Sequence, residues 1–297
     1  IVHMYTYEDI KLQNQQDAFS AMYLCIARSV TDLCGRRVGE RILREACRRA
    51  GRASGLQQRE RLRQAGVKTN LHTLYHCGRD FVEDPRVRGQ EIFDEEDRQI
   101  WEIYTCPLAD YWNRRDGGKL GSFYCEEYQY ARLLAYTENV GQLNLSKELT
   151  CPRDNFCRFS LFFREANMSR ERAKEAFAHC DPGYEAPKDP PADVSFGEGI
   201  RDMTISIYAN ILETAREICG REGVCAVAEG LKRWTAEALA AMRVQADHTL
   251  CPLDAGFVEK NFPLPLDGAD PAWNGCEDEA RDLMRRLVLE PIAAELA

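Results

Sequence analysis

No stretch of this 297-residue chain approaches the roughly 20 consecutive apolar residues needed to cross a bilayer, so a membrane-spanning reading is excluded. An excess of basic charge is also missing. Against 39 Lys and Arg stand 48 Asp and Glu, a formal charge of -9, which argues against general nucleic-acid binding because phosphate recognition needs a positive field. There is no Gly-rich phosphate loop, no nucleophile elbow and no dinucleotide fingerprint, which removes kinases and ordinary dehydrogenases. No secretory leader is evident, and Ile1-Val2-His3 ahead of Met4 reads as an added remnant rather than a targeting segment. The expected setting is therefore the reducing cytoplasm, where the 13 cysteines, an odd number, stay free or bind metal instead of building a disulfide framework.

What is present is a normal globular composition, 44% hydrophobic, with periodic segments. Phe19, Met22, Ile26, Val30 and Leu33 recur at three- and four-residue steps and predict a helix over 17–35, stopped by Gly35. A second helix is expected over about 38–64. Its many arginines, Arg44, Arg48 and Arg49 among them, read first as a solvated face and second as a partner surface. A third helix begins near Thr69 or Asn70, carries His72 and His76, and ends at Asp84-Pro85. Residues 100–106 are rich in β-formers and predict a strand ending at Pro107. Ser122 is the expected cap of a helix through Tyr128 and Leu134. Alternation around Leu143-Asn144-Leu145 and over Cys157 to Phe163 predicts a hairpin. With its turn near Asp154, Cys151 would lie opposite Cys157 on the inward face.

Ser169 begins a further helix, and the Pro- and Gly-rich stretch 181–199 reads as a linker between a unit over 1–180 and a helical unit over 200–297. Beyond it, Ile207-Tyr208 through Cys219-Gly220-Arg221 aligns at constant offset with Met22-Tyr23 through Cys34-Gly35-Arg36, a diverged repeat of the opening helices. A last helix is expected over about 277–295. The fold class is α+β, mainly helical: helices packed on a small antiparallel sheet, followed by a helical second half that partly repeats the first.

The chemistry concentrates between Trp101 and Arg164, in Cys-Pro-Leu-Ala-Asp at 106–110, Tyr-Cys-Glu-Glu at 124–127 and Cys-Pro-Arg-Asp-Asn-Phe-Cys at 151–157. Thiols grouped in this way do chemistry or bind metal. A cap at Ser122 would put Cys125 in the first helical turn, where the dipole stabilises a thiolate. Cys106 ends a strand, with Asp110 four residues on. Glu148, Cys151 and Cys157 with Cys125 make a chemically reasonable zinc set, which needs a bulge to turn Glu148 inward. Cys25, Cys34, Cys47, Cys180, Cys219 and Cys225 read as small helix residues. His72 and His76 share a helix face at i, i+4, but Thr73 and Tyr75 stand where a zincin-type motif carries Glu, so surface or core roles, or proton transfer beside the thiols, are preferred to a metal pair.

At this block the chain resembles the family named for L-2-amino-thiazoline-4-carboxylic acid hydrolase. The likeness rests on Trp101 leading into Cys106-Pro107-Leu108-Ala109-Asp110, on Gly121 and Tyr124-Cys125 after a glycine turn, and on Cys157-Arg158-Phe159, within about residues 17–165. It implies hydrolytic opening of a 2-aminothiazoline-4-carboxylate-like ring to N-carbamoyl-cysteine. That reaction needs a nucleophile, a proton donor and a carboxylate anchor. The implied roles fall to Cys106 or Cys125 as nucleophile, Asp110 or Glu126 in proton transfer, and Arg158, with Tyr124 and His76, in holding substrate. A thiolate-bound metal activating water is the alternative. A more distant likeness, to vinyl-reductase-type ligand-binding domains, implies zinc on Glu148, Cys151, Cys157 and Cys125, in a small-molecule-binding or sensor protein. On either reading the partner is a small molecule, neither nucleic acid nor membrane, and self-association is compatible with both.

Overall fold

The computed structural model describes residues 5–296; the reading of residues 1–4 as a remnant lies outside them. Helix α1 (Tyr7–Leu33) begins where Thr6 and Asp9 cap each other, the Asp9 amide donating to Thr6 Oγ1 at 3.1 Å and the Thr6 amide to Asp9 Oδ2 at 2.8 Å. It starts ten residues earlier than its apolar periodicity suggests, because the first turns carry polar residues. Helix α2 (Arg36–Gln64) follows directly. Helix α3 (Leu71–His76) is capped by Asn70 and Thr73 and stops at Cys77 instead of running to Asp84. A strand absent from the sequence reading comes next, β1 (Arg88–Asp94), hairpinned to β2 (Arg98–Thr105), which ends at Cys106 as expected.

Helix α4 (Pro107–Asn113) and helix α5 (Gly118–Tyr136) lead to β3 (Gln142–Lys147) and β4 (Cys157–Phe162), and α6 (Arg170–Ala176) follows its Ser169 cap. The four strands form one antiparallel sheet in the order β1-β2-β4-β3. Leu143 pairs with Leu161 and Leu145 with Phe159, whereas a turn centred on Asp154 would have set Leu145 against Phe163; the register differs, but the expected face is kept, with Cys157, Phe159 and Leu161 pointing inward. Cys157 pairs with Ile103 of β2, whereas Cys151 sits in the turn and does not oppose it.

After an irregular stretch, Ser195 caps α7 (Phe196–Thr249), followed by α8 (Ala255–Asn261), α9 (Asp278–Met284) and α10 (Glu290–Ala293), with a π-turn joining the last two. Helix α7 is two helices broken at Gly220, whose φ of 58° is a left-handed conformation that glycine adopts without strain. Its counterpart in the sequence alignment, Gly35, breaks α1 from α2 with a φ of 84°. Among the described residues no helix is long and apolar enough to cross a membrane.

Two apolar cores result. The larger draws on both halves of the chain, with Phe19, Met22, Tyr23 and Trp112 packed among Ile207, Ile211 and Trp234. The helices after 195 thus share the core of the first helices. The smaller core lies under the sheet and includes Leu74, Tyr136, Cys157, Phe159 and Phe163. The arginines of α2 are largely spent on neighbouring helices. Arg44 and Arg48 grip Glu127 of α5 at 2.7 and 2.6 Å, and Arg49 reaches Glu217 of α7 at 2.7 Å.

Candidate active site

The cysteine block sits at the junction of the two cores. Cys125 packs against the helical core and Cys157 belongs to the sheet core. Cys106 joins them from the end of β2, since Ile103, three residues earlier, is the β4 partner of Cys157. Helix α4 is fixed from both sides. Fully buried Trp112 donates through Nε1 to the Ser20 carbonyl at 3.0 Å, and Asn113 Nδ2 donates to the Leu149 carbonyl at 2.8 Å in the β3–β4 connection.

Burial holds the Cys125 thiol far above its usual range, and negative charge on Cys106, Cys157 or Glu148 would make its ionisation costlier still. Burial likewise pushes Cys157 up to about 12, opposed by the Leu149 amide, which donates to its sulfur at 3.2 Å. Cys106 is also raised by burial, but the amides of Ala109 and Leu108 at the start of α4 favour its thiolate and offset part of the rise. At rest all three are neutral thiols. The expected cap at Ser122 is not formed: α5 begins at Gly118, so Cys125 lies in the second turn, past the reach of the dipole. A resting thiolate at Cys125 for that reason is therefore corrected to a buried, protonated thiol.

Glu148 is a carboxylate near these thiols. The register of β3 against β4 slips between Leu145 and Lys147, just before Glu148, whose charge acts on Cys157. Burial and the Glu126 carboxylate raise the Glu148 pKa, while the Thr150 hydroxyl, donating at 3.2 Å, and Lys119 oppose the rise. Glu148 also lines a cleft of about 750 Å³ with Lys119, Ser122, Glu126 and Cys151. A larger cavity of about 810 Å³, lined by Ser54, Asp80, Tyr128 and Asn210, contains none of the cysteines of the block.

The remaining candidates are spread more widely. Asp110 lies in the first turn of α4 beside Cys106, its charge adding to the rise of that thiol. Glu126 faces the cleft but is bound by Arg44 at 2.5 Å. Tyr124 is buried in an aromatic group with Tyr23, Trp112 and Tyr128, and its hydroxyl meets Met203 Sδ at 3.0 Å. Arg158 projects from the opposite face of β4 from Cys157 and pairs with Glu102 at 2.9 Å. His76 lies at the far end of the sheet, beside Glu91 and Asp94. Cys125, Glu148, Cys151 and Cys157 do not gather their ligand atoms into one sphere. Among the described residues, the groups of three or more that do so within 4.8 Å are His72, His76 and Asp94, and Glu165, His179 and Cys180.

One packing residue lies near Cys125: Cys47, read from sequence as a small core residue, belongs to the larger core. It sits on α2, is fully buried, and would raise the Cys125 thiol further only if it were itself ionised. No local pattern distinguishes it, because its relation to Cys125 is made only by α2 lying along α5.

Residues 13–160 match the family model described as L-2-amino-thiazoline-4-carboxylic acid hydrolase. That span contains Cys106, Cys125, Cys157 and Glu148, and stops short of α7. No curated protein and no solved structure matches the chain.

Proposed function

Because residues 13–160 belong to the L-2-amino-thiazoline-4-carboxylic acid hydrolase family, we propose that this protein opens a small sulfur- and nitrogen-containing ring of the 2-aminothiazoline-4-carboxylate type by hydrolysis. The observation that supports the reading is that Cys106, Cys157 and Glu148 all lie near enough to buried Cys125 to act on its ionisation, and that Glu148 also lines the 750 Å³ cleft, whose wall carries Cys151 but not the other three thiols.

In this reading Cys125 is the nucleophile and Glu148 its base. A buried thiol is a poor nucleophile until its proton leaves, and a carboxylate with a raised pKa is the stronger base for removing it. The Cys125 sulfur adds to the ring carbon between sulfur and nitrogen while its proton passes to Glu148. The ring carbon–sulfur bond then breaks, and Glu148 returns the proton to the departing sulfur. Water attacks the same carbon, releases Cys125 as a thiol and leaves the carbonyl of an N-carbamoyl-cysteine product. Lys119, on the cleft wall, suits the substrate carboxylate better than Arg158, which Glu102 already occupies.

The test is incubation of the purified protein with L-2-aminothiazoline-4-carboxylate, following N-carbamoyl-cysteine by mass spectrometry. Product formation above the uncatalysed rate supports the proposal. No turnover of this compound or of ring analogues by folded protein overturns it.

A further inference from the structure

Two histidines unused by the hydrolytic site meet two carboxylates at the sheet edge. His72 Nδ1 lies 2.8 Å from Asp94 Oδ1; His76 Nε2 lies 3.3 Å from the same oxygen and 3.2 Å from Glu91 Oε1. We propose that His72, His76 and Asp94, with Glu91 as fourth donor, form a site for one divalent first-row transition metal that clips α3 to the edge strand β1.

Three features of the chain build this arrangement. The i, i+4 spacing on α3 puts both imidazoles on one face, where the rings stack at 4.7 Å between centroids. The register of β1 against β2 slips between Glu91 and Phe93, adding one residue to β1. Glu91 and Asp94 would face opposite sides of a regular strand, and the bulge returns them to the same side. Finally, Gln99, the cross-strand partner of Asp94 and itself buried, donates its side-chain amide to Asp94 Oδ1 and orients the carboxylate from behind.

Two of the three donor separations fit a cation, while the third, His72 Nδ1 to Asp94 Oδ1 at 2.8 Å, is a hydrogen-bond distance that would have to lengthen on binding. In a tetrahedral sphere with bonds of about 2.0–2.1 Å, adjacent donor atoms stand about 3.3 Å apart. The two His76 separations, 3.2 and 3.3 Å, match that edge. Asp94 Oδ1 is also approached by three nitrogens, from His72, His76 and Gln99, more than its two lone pairs can serve. A metal ion resolves the excess, because the imidazoles then present lone pairs to the cation. Imidazole with carboxylate suits zinc, cobalt, nickel or copper rather than calcium or magnesium.

The test is a titration of the full chain with Co²⁺, followed by calorimetry and absorption. Cobalt separates this sulfur-free site from the free thiols, because only thiolate ligands give intense sulfur-to-metal charge-transfer bands. The expected result is one equivalent bound without those bands, with affinity reduced at least about tenfold in His72→Ala and in His76→Ala and retained in His179→Ala. Both histidines are surface residues, and circular dichroism checks the fold of each variant; Asp94→Asn, which keeps the side-chain shape, should give the same loss. Unchanged Co²⁺ affinity in folded His72→Ala and His76→Ala, no binding by the unsubstituted chain, or a spectrum dominated by thiolate bands overturns the proposal.

Discussion

Gly121 of α5 lies so close to Trp112 of α4 that a Cβ at position 121 would stand 2.1 Å from Trp112 Cε3. The indole has nowhere to go, being fully buried and tied to Ser20. Gly121→Ala is therefore expected to push α4 away from α5, costing about 1–3 kcal/mol. It also displaces Cys106 relative to Cys125 and lowers kcat/KM in the folded fraction. Urea unfolding and turnover measured together check this; a variant equal to the parent in both would show that the contact has slack.

Glu148 should set the acidic limb of the activity profile. Its pKa is raised by burial and by Glu126, so its basic form accumulates only above the ordinary carboxylate range. Activity then rises with pH through a midpoint higher than that of a free glutamate. Glu148→Gln is expected to lower kcat by about 10²–10⁴-fold and to abolish that limb. A pH–rate profile of the Gln variant that keeps the same limb would assign the base elsewhere.

The buried thiols predict loss of stability in alkali. Cys47 and Cys157 are both pushed up to about 12 by burial, and Tyr75 and Tyr128 are held at about 12 as well. The folded chain keeps these protons at pH values where the unfolded chain has released them, so the folded state binds more protons and stability must fall as pH rises. The thiol contribution is complete below about 9 and is lost on the way to 12. Urea midpoints from pH 8 upward test this, and a flat profile contradicts it. The same burial predicts that exposed Cys225 reacts with a thiol reagent at neutral pH well before Cys125 or Cys157.

The charged seam between α2 and α5 should matter more than a surface ion pair. Glu127 is mostly buried and accepts from both Arg44 and Arg48. Glu127→Gln leaves two guanidinium groups short of a partner and is expected to cost about 1–2 kcal/mol, between the surface and buried limits. Part of this persists in high salt, because screening acts on the exposed Arg48 more than on the sheltered carboxylate. Thermal unfolding at low and high salt reads both effects.

The elements legible in the sequence were those whose burial alternates: β4 with Cys157, Phe159 and Leu161 inward, and the β2 strand up to Cys106. Strand β1 was invisible for the opposite reason. It is an exposed edge, Arg-Gly-Gln-Glu-Ile-Phe-Asp, whose pairing depends on β2 rather than on an apolar pattern of its own. The start of α5 was misplaced because Ser122 looks like a cap, whereas the helix actually opens at Gly118 with no side-chain cap at all. The thiols of the site were legible as residue types. What sequence could not supply was their environment: the raised pKa of Cys125 arises from α2, β4 and the β3–β4 connection closing around it.

The most direct test is the turnover of L-2-aminothiazoline-4-carboxylate by the protein and by Cys125→Ser, with circular dichroism confirming that the variant folds. The account predicts N-carbamoyl-cysteine from the parent and a rate reduced by at least about 100-fold in Cys125→Ser. A folded Cys125→Ser protein that turns over at the parental rate would contradict it.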